Sequence, residues 1–135
     1  MERERKRQKR NESCLSFVLF GSTGDLSKKK LFPALSNLIE RNDFRYDKIT
    51  IFCLGRREMK VEALLEKQCV NVKSKHMDKL SKCIKYVKNS CRDPADFRKL
   101  QETLPSKGDR IFFLALPPKL FGTVTTMISS HCQAR

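Results

Sequence analysis

The sequence predicts an α/β domain: a parallel sheet with helices on both faces. Three observations predict it. Phe17-Val18-Leu19-Phe20 is an unbroken apolar run, the pattern of a strand buried on both faces. It leads straight into Gly21-Ser22-Thr23-Gly24, a glycine turn, and then into residues 31–41, where apolar side chains recur at helical spacing. Further short apolar runs at 49–54, 84–87 and 111–116 alternate with helical patterns. Strands alternating with helices in this way form parallel sheets joined by right-handed crossovers.

Each element follows in order. Residues 1–13 are polar and highly charged and are expected to form a disordered basic tail ahead of a domain spanning 14–135. The first strand covers 16–20, and a helix runs over 25–41 with Pro33 in its early turns, where a missing N–H is tolerated and a slight kink is expected. Residues 42–48 turn the chain into the second strand, 49–54. A helix over 60–72 would turn Val61, Leu64, Leu65 and Cys69 inward, and 76–83 continues as a basic helix. The third strand is 84–87, Asp93 can cap the helix leading to Leu104, and Asp109 precedes the fourth strand, 111–116. A last helix covers 118–130. The order amounts to a Rossmann-like half-domain.

Composition narrows the class. A chain of 135 residues makes one domain at most, and 39% hydrophobic residues with regular punctuation argue for a globular body. No apolar run approaches the roughly 18 residues of a membrane span, and the charged amino terminus has no apolar stretch behind it. Membrane insertion is therefore not expected, and nothing marks secretion. The six cysteines include no CxxC pair, so a zinc centre is not expected; their even count could suggest disulfides, but with nothing marking secretion free cytosolic thiols fit better.

The net charge of +14 raises nucleic acid as a partner, above all through the basic run at 3–10. Glutamate interrupts that run and no aromatic side chain is interleaved to stack on bases, so a solvated tail is the expected reading. The remaining lysines are scattered over helical segments, where a solvated face is the default.

The junction after the first strand carries the chemistry. A strand, a glycine turn and a helix build a phosphate cradle: Gly21 and Gly24 let the backbone approach a ligand, and the helix start offers N–H groups and a partial positive charge. The Ser22 and Thr23 hydroxyls can donate to phosphate oxygens. Asp25 reads equally as a helix cap or as part of the ligand shell, and Ser27 as a small residue for helix-strand packing. Lys28 is either a site lysine or a solvated one.

The full segment GSTGDLSKKKLFPAL resembles the signature of the glucose-6-phosphate dehydrogenase family, G-x-[ST]-G-D-L-[AS]-K-[KR]-K-[LI]-[YF]-P, at its first strand-helix turn. Residues 110–118, RIFFLALPP, are similar to that family's fourth strand, and residues 85–87 with 93–100 to its third strand and following helix. The resemblance covers about 16–132, which corresponds to the amino-terminal part of such a dehydrogenase. It implies NADP as cofactor, and hydride transfer from C1 of glucose 6-phosphate giving the 6-phospho-lactone in the pentose phosphate route of the cytoplasm.

Residue by residue, the resemblance assigns Gly21, Ser22, Thr23, Gly24, Asp25, Leu26, Ser27 and Lys28 to the pyrophosphate. Arg56 matches the arginine that holds the 2′-phosphate. The second strand runs out through Gly55-Arg56-Arg57 with no carboxylate before Glu58, as selection for the 2′-phosphate over a 2′-hydroxyl requires. Arg57 can share that role. Phe121 stands where the family has a tyrosine contacting the cofactor, so apolar contact is kept and the hydroxyl lost. Cys53 stands where a glycine is common.

The E-K-P-F-G and R-I-D-H-Y-L-G-K-E segments, the later general-base histidine and the α+β substrate domain have no counterpart, and His76 and His131 are both expected at the surface. The chain alone is thus expected to be inactive, with glucose 6-phosphate bound only in a full-length enzyme. The alternative is a non-catalytic nucleotide-binding or subunit-interaction fragment, pairing with itself or with a full-length paralogue. The fourth strand is expected to present an exposed apolar edge.

Overall fold

The structure, a computed structural model, describes residues 13–42 and 45–133. The basic tail expected over 1–13 therefore lies, but for Ser13, outside the described residues. Four parallel strands, β1 (Cys14–Phe20), β2 (Lys48–Gly55), β3 (Ile84–Lys88) and β4 (Asp109–Leu114), form one sheet in the order β3-β2-β1-β4. β1 is central: it pairs with β2 from Cys14↔Lys48 to Phe20↔Leu54, and with β4 from Leu15↔Asp109 to Phe20↔Leu114. This is the α/β, Rossmann-like arrangement that the strand-helix alternation predicts.

Alternation along the strands divides the core in two. Phe17, Leu19, Ile51 and Cys53 face one way, against Phe32 and Leu35 of α1 (Phe32–Arg41), Leu64 of α2 (Val61–Gln68) and Leu80 of α3 (Met77–Cys83). Val18, Phe20, Phe52 and Leu54 face the other way, against Phe97 and Leu100 of α4 (Pro94–Thr103) and Val124 of α5 (Phe121–His131). Phe20 and Phe97 stack with ring centroids 5.9 Å apart. Burying each such side chain contributes roughly 1.5–3 kcal/mol. Cys53, in place of the expected glycine, is wholly enclosed by the first cluster.

The caps are local. Asp93 accepts a 2.9 Å hydrogen bond from the Ala95 N–H and starts α4, and Asn42 ends α1 in the left-handed conformation at φ 55°. Ahead of α1, Ser27–Leu31 forms a π-helical turn in which the Phe32 N–H reaches back to Ser27 O. Pro33 has no N–H to give to the preceding turn, so a widened turn just before it sacrifices little.

Several expectations are corrected. The helix expected over 60–72 ends at Gln68, and Cys69 closes it with an N–H bond to Leu65 O at 2.9 Å. The basic helix at 76–83 is preceded by a 3₁₀ turn at Ser74–His76, and β4 starts at Asp109 because its pairing with β1 extends to Leu15. His76 is buried, at 7% exposure, rather than on the surface. One helical turn separates it from Leu80, so the packing that buries Leu80 under α1 carries His76 inward too. As expected, β4 is an edge, and it leaves Ile111 and Phe113 exposed.

Candidate functional site

The carboxyl ends of the strands surround a cleft of about 290 Å³. Gly21 and Thr23 line it after β1, and Leu54, Gly55 and Arg56 at the end of β2. Asn89, Ser90, Cys91 and Arg92 line it beyond β3, and Leu116, Pro117, Lys119 and Leu120 beyond β4.

The turn after β1 is locked from inside. Gly21 sits at φ +80°, and a Cβ there would drive into the Ala115 carbonyl oxygen, so both conformation and space demand glycine. The Gly24 N–H closes the turn onto Gly21 O at 3.1 Å. Ser22 is fully buried, its hydroxyl donating to Leu54 O at 2.9 Å and its N–H to the same oxygen at 3.2 Å. Its hydroxyl therefore ties β1 to β2 instead of facing a ligand. The buried Ser27 donates its hydroxyl to Gly21 O at 2.9 Å, in keeping with a packing role. Thr23 is the hydroxyl-bearing residue of the turn that lines the cleft.

Asp25 and Leu26 are exposed and Lys28 is half-buried. The Asp25 carboxylate lies 3.0 Å from Lys29, one helical turn on. Helical backbone begins at Asp25 and runs through the π turn into α1, and the first N–H groups of this stretch have no partner within the helix, as at any helix start.

At the end of β2, Arg56 borders the cleft, whereas Arg57 is held outside it with its carbonyl accepting from Tyr86 Oη at 2.6 Å. Beyond β3, the Asn89 N–H donates to Gly55 O at 2.8 Å, and Asn89 Oδ1 takes the Cys91 N–H at 2.7 Å. Asp96 of α4 accepts from the Ser90 N–H at 2.9 Å, and that hydrogen bond holds its carboxyl below the ordinary carboxylate range. Burial pushes the Cys91 thiol up, while the charges of Arg56 and Arg92 pull it the other way. Arg56, Arg92 and Lys119 give the wall a positive field, and no carboxylate stands among the described lining residues.

Of the residues singled out in the sequence, the cleft gathers Gly21, Thr23 and Arg56; Phe121, at the start of α5 and 40% exposed, is not among its lining residues. No sequence motif marks the loop at Asn89, Ser90, Cys91 and Arg92, although the rule that ligands sit beyond the carboxyl ends of parallel strands points to it. No motif marks Gln68 either. It is 1% exposed, and its side-chain amide donates to Ser22 O at 2.8 Å and to Gly24 O at 2.9 Å. A polar residue one helical turn after the buried Leu64 is the signal that could have found it.

A family profile described as "Glucose-6-phosphate dehydrogenase, NAD binding domain" matches residues 18–135. The chain is 32% identical over 136 residues to "Glucose-6-phosphate 1-dehydrogenase 5, cytoplasmic" of Arabidopsis thaliana, covering 87% of this chain and 26% of that protein. It is 34% identical over 131 residues to glucose-6-phosphate 1-dehydrogenase of Schizosaccharomyces pombe, again covering 87% and 26%. Among solved structures, a glucose-6-phosphate dehydrogenase in complex with its substrate glucose-6-phosphate aligns at TM-score 0.80 and 24% identity, over 90% of this chain and 28% of that one. The chain thus spans about a quarter of the length of the relatives it matches.

Proposed function

Since the chain belongs to the glucose-6-phosphate dehydrogenase family, we propose that its cleft binds NADP, with the pyrophosphate on the glycine turn and the 2′-phosphate on Arg56. The observation that carries this reading is Arg56 itself, a cation in the cleft wall directly after β2 with no carboxylate among the described lining residues. A guanidinium offers two parallel charge-assisted hydrogen bonds to a phosphate, and a carboxylate in the same place would repel it. Gly21 shapes the same site, because its positive φ and missing side chain let the turn pack against the Ala115 carbonyl.

At about 290 Å³ the cleft is at the small end of ligand sites, roughly 300–1,000 Å³, and suits one nucleotide half of the cofactor. In this reading Arg56 orients the adenosine end, and Gly21, Thr23, Gly24 and the helix start, with Asp25, Leu26 and Lys28 around them, hold the phosphates. Ser22 and Ser27 brace the turn, and Phe121 offers at most apolar contact. NADP, when bound, accepts a hydride.

We propose C1 of glucose 6-phosphate as the hydride source in a full-length enzyme, its hydroxyl giving up a proton to a base, with the cytoplasm as the compartment. His76 is buried away from the cleft lining and His131 lies at the end of α5, so neither supplies a base there. These residues alone are expected to bind cofactor without oxidising the sugar. The exposed Ile111 and Phe113 on edge strand β4 favour, as a second reading, a fragment that pairs with another copy or with a full-length paralogue.

Calorimetric titration of the chain with NADP and NAD, repeated on Arg56→Asp, tests the cofactor. NADP is expected to bind more tightly than NAD, and the substitution to cost roughly 2–3 kcal/mol of NADP affinity, the scale of a hydrogen-bonded ion pair. Equal NADP binding before and after the change would sink the assignment.

A further inference from the structure

We propose that Gln68 positions the glycine turn for phosphate, by holding two of its peptide units in the orientation a phosphate group needs. The inference rests on the dinucleotide reading of the cleft and assigns a residue to that same site.

Gln68 is the last residue of α2, and its side chain is enclosed at 1% exposure. A glutamine amide has two N–H donors on Nε2. Both go to one turn, reaching Ser22 O at 2.8 Å and Gly24 O at 2.9 Å across 46 and 44 residues of sequence. A planar trans peptide points its C=O and its N–H in opposite directions. The Ser22 carbonyl shares its peptide plane with the Thr23 N–H, and the Gly24 carbonyl with the Asp25 N–H. Drawing both oxygens towards α2 therefore turns both N–H groups away from α2.

Thr23 lines the cleft, and Asp25 begins the helix whose first N–H groups have no helical partner. Gln68 thus does two things with one amide. It removes two carbonyl oxygens that would repel a phosphate, and it aims two donors that would bind one. The Lys28 N–H also reaches Gly24 O, at 3.2 Å, so Gln68 shares that carbonyl with the helix, while the Ser22 and Ser27 hydroxyls are committed to Leu54 O and Gly21 O.

The test compares two probes on the whole chain. NADP engages both the turn and Arg56, whereas adenosine 2′-monophosphate carries no pyrophosphate and engages Arg56 alone. Gln68→Met keeps the length and removes both donors; Gln68→Glu keeps the shape and is made alongside, so that one folded variant is enough. NADP affinity is expected to fall about tenfold, as the loss of two oriented hydrogen bonds implies, while adenosine 2′-monophosphate affinity stays within about twofold. Parallel losses for both probes would reduce Gln68 to a purely structural residue, and no loss for either would remove it from the site. Both results overturn the inference while leaving the cofactor reading intact. Failure of the folded, unaltered chain to bind NADP overturns that reading and this inference with it.

Discussion

Tyr86 Oη donates a 2.6 Å hydrogen bond to the carbonyl oxygen of Arg57, so a side chain of β3 braces the segment that carries Arg56 and Arg57 away from β2. Gly55 makes the room: a Cβ there would collide with that same tyrosine oxygen. The two residues form one device, in which the absence of a side chain on one strand admits the hydroxyl of the next.

Removing the hydroxyl isolates this bond. Tyr86→Phe is expected to lower stability by about 1 kcal/mol, the net worth of one hydrogen bond. That corresponds to roughly 3–6 °C in a thermal melt for a domain of this size. Gly55→Ala should cost less in the Tyr86→Phe background than in the unaltered chain, because the colliding atom is gone. A double-mutant cycle measures the coupling, expected at about 1 kcal/mol, and additive effects would refute the pairing.

Gly21 faces a harder limit, because backbone and not a movable side chain occupies the space. Gly21→Ala is expected to cost roughly 3 kcal/mol, from the left-handed conformation and from displacement of the Ala115 carbonyl at the exit of β4. Urea titration should show a lower midpoint with an unchanged slope. A midpoint within error of the unaltered chain would show that the turn relaxes without penalty.

The Asp96 link to Ser90 predicts a dependence on acid. The hydrogen bond from the Ser90 N–H stabilises the carboxylate, so the folded pKa lies below the unfolded one. Its contribution is complete above the unfolded value of about 4 and is lost as pH falls through the folded value. The Ser90 side of the cleft should therefore loosen in acid, seen as a lower protection factor for the Ser90 amide relative to its intrinsic exchange rate at each pH. In Asp96→Asn the extra loosening as pH falls below about 4 should disappear.

What could be read from the sequence follows how local each pattern is. Phe17-Val18-Leu19-Phe20, the glycine turn and the Asp93 cap are each legible within a few residues and stand where the patterns put them, and Arg56 follows β2 at the wall of the cleft. The rest depends on distant partners. The direction of the Ser22 hydroxyl is set by Leu54 O, 32 residues on, and the role of Gln68 by carbonyls more than 40 residues before it. His76 reads as a surface residue among its neighbouring lysines until the packing of α1 over Leu80 is known. Asn89 and Arg92 show no motif; they reach the cleft because β3 stops beside β2.

The central place of β1 has a consequence in time. It is the first strand of the sheet to be synthesised, and its partners lie downstream, beginning at Lys48 in β2 and at Asp109 in β4. At roughly 5–20 residues per second of translation, its first neighbour arrives after seconds and its second on the order of ten seconds later. Over that interval the growing chain carries a bare apolar strand, open first on both sides and then on one. A parallel pairing that distant in sequence is also slow to close once both strands exist. The residues that give the finished sheet its best-buried strand are thus the ones that a chaperone, or a neighbouring nascent chain, meets first.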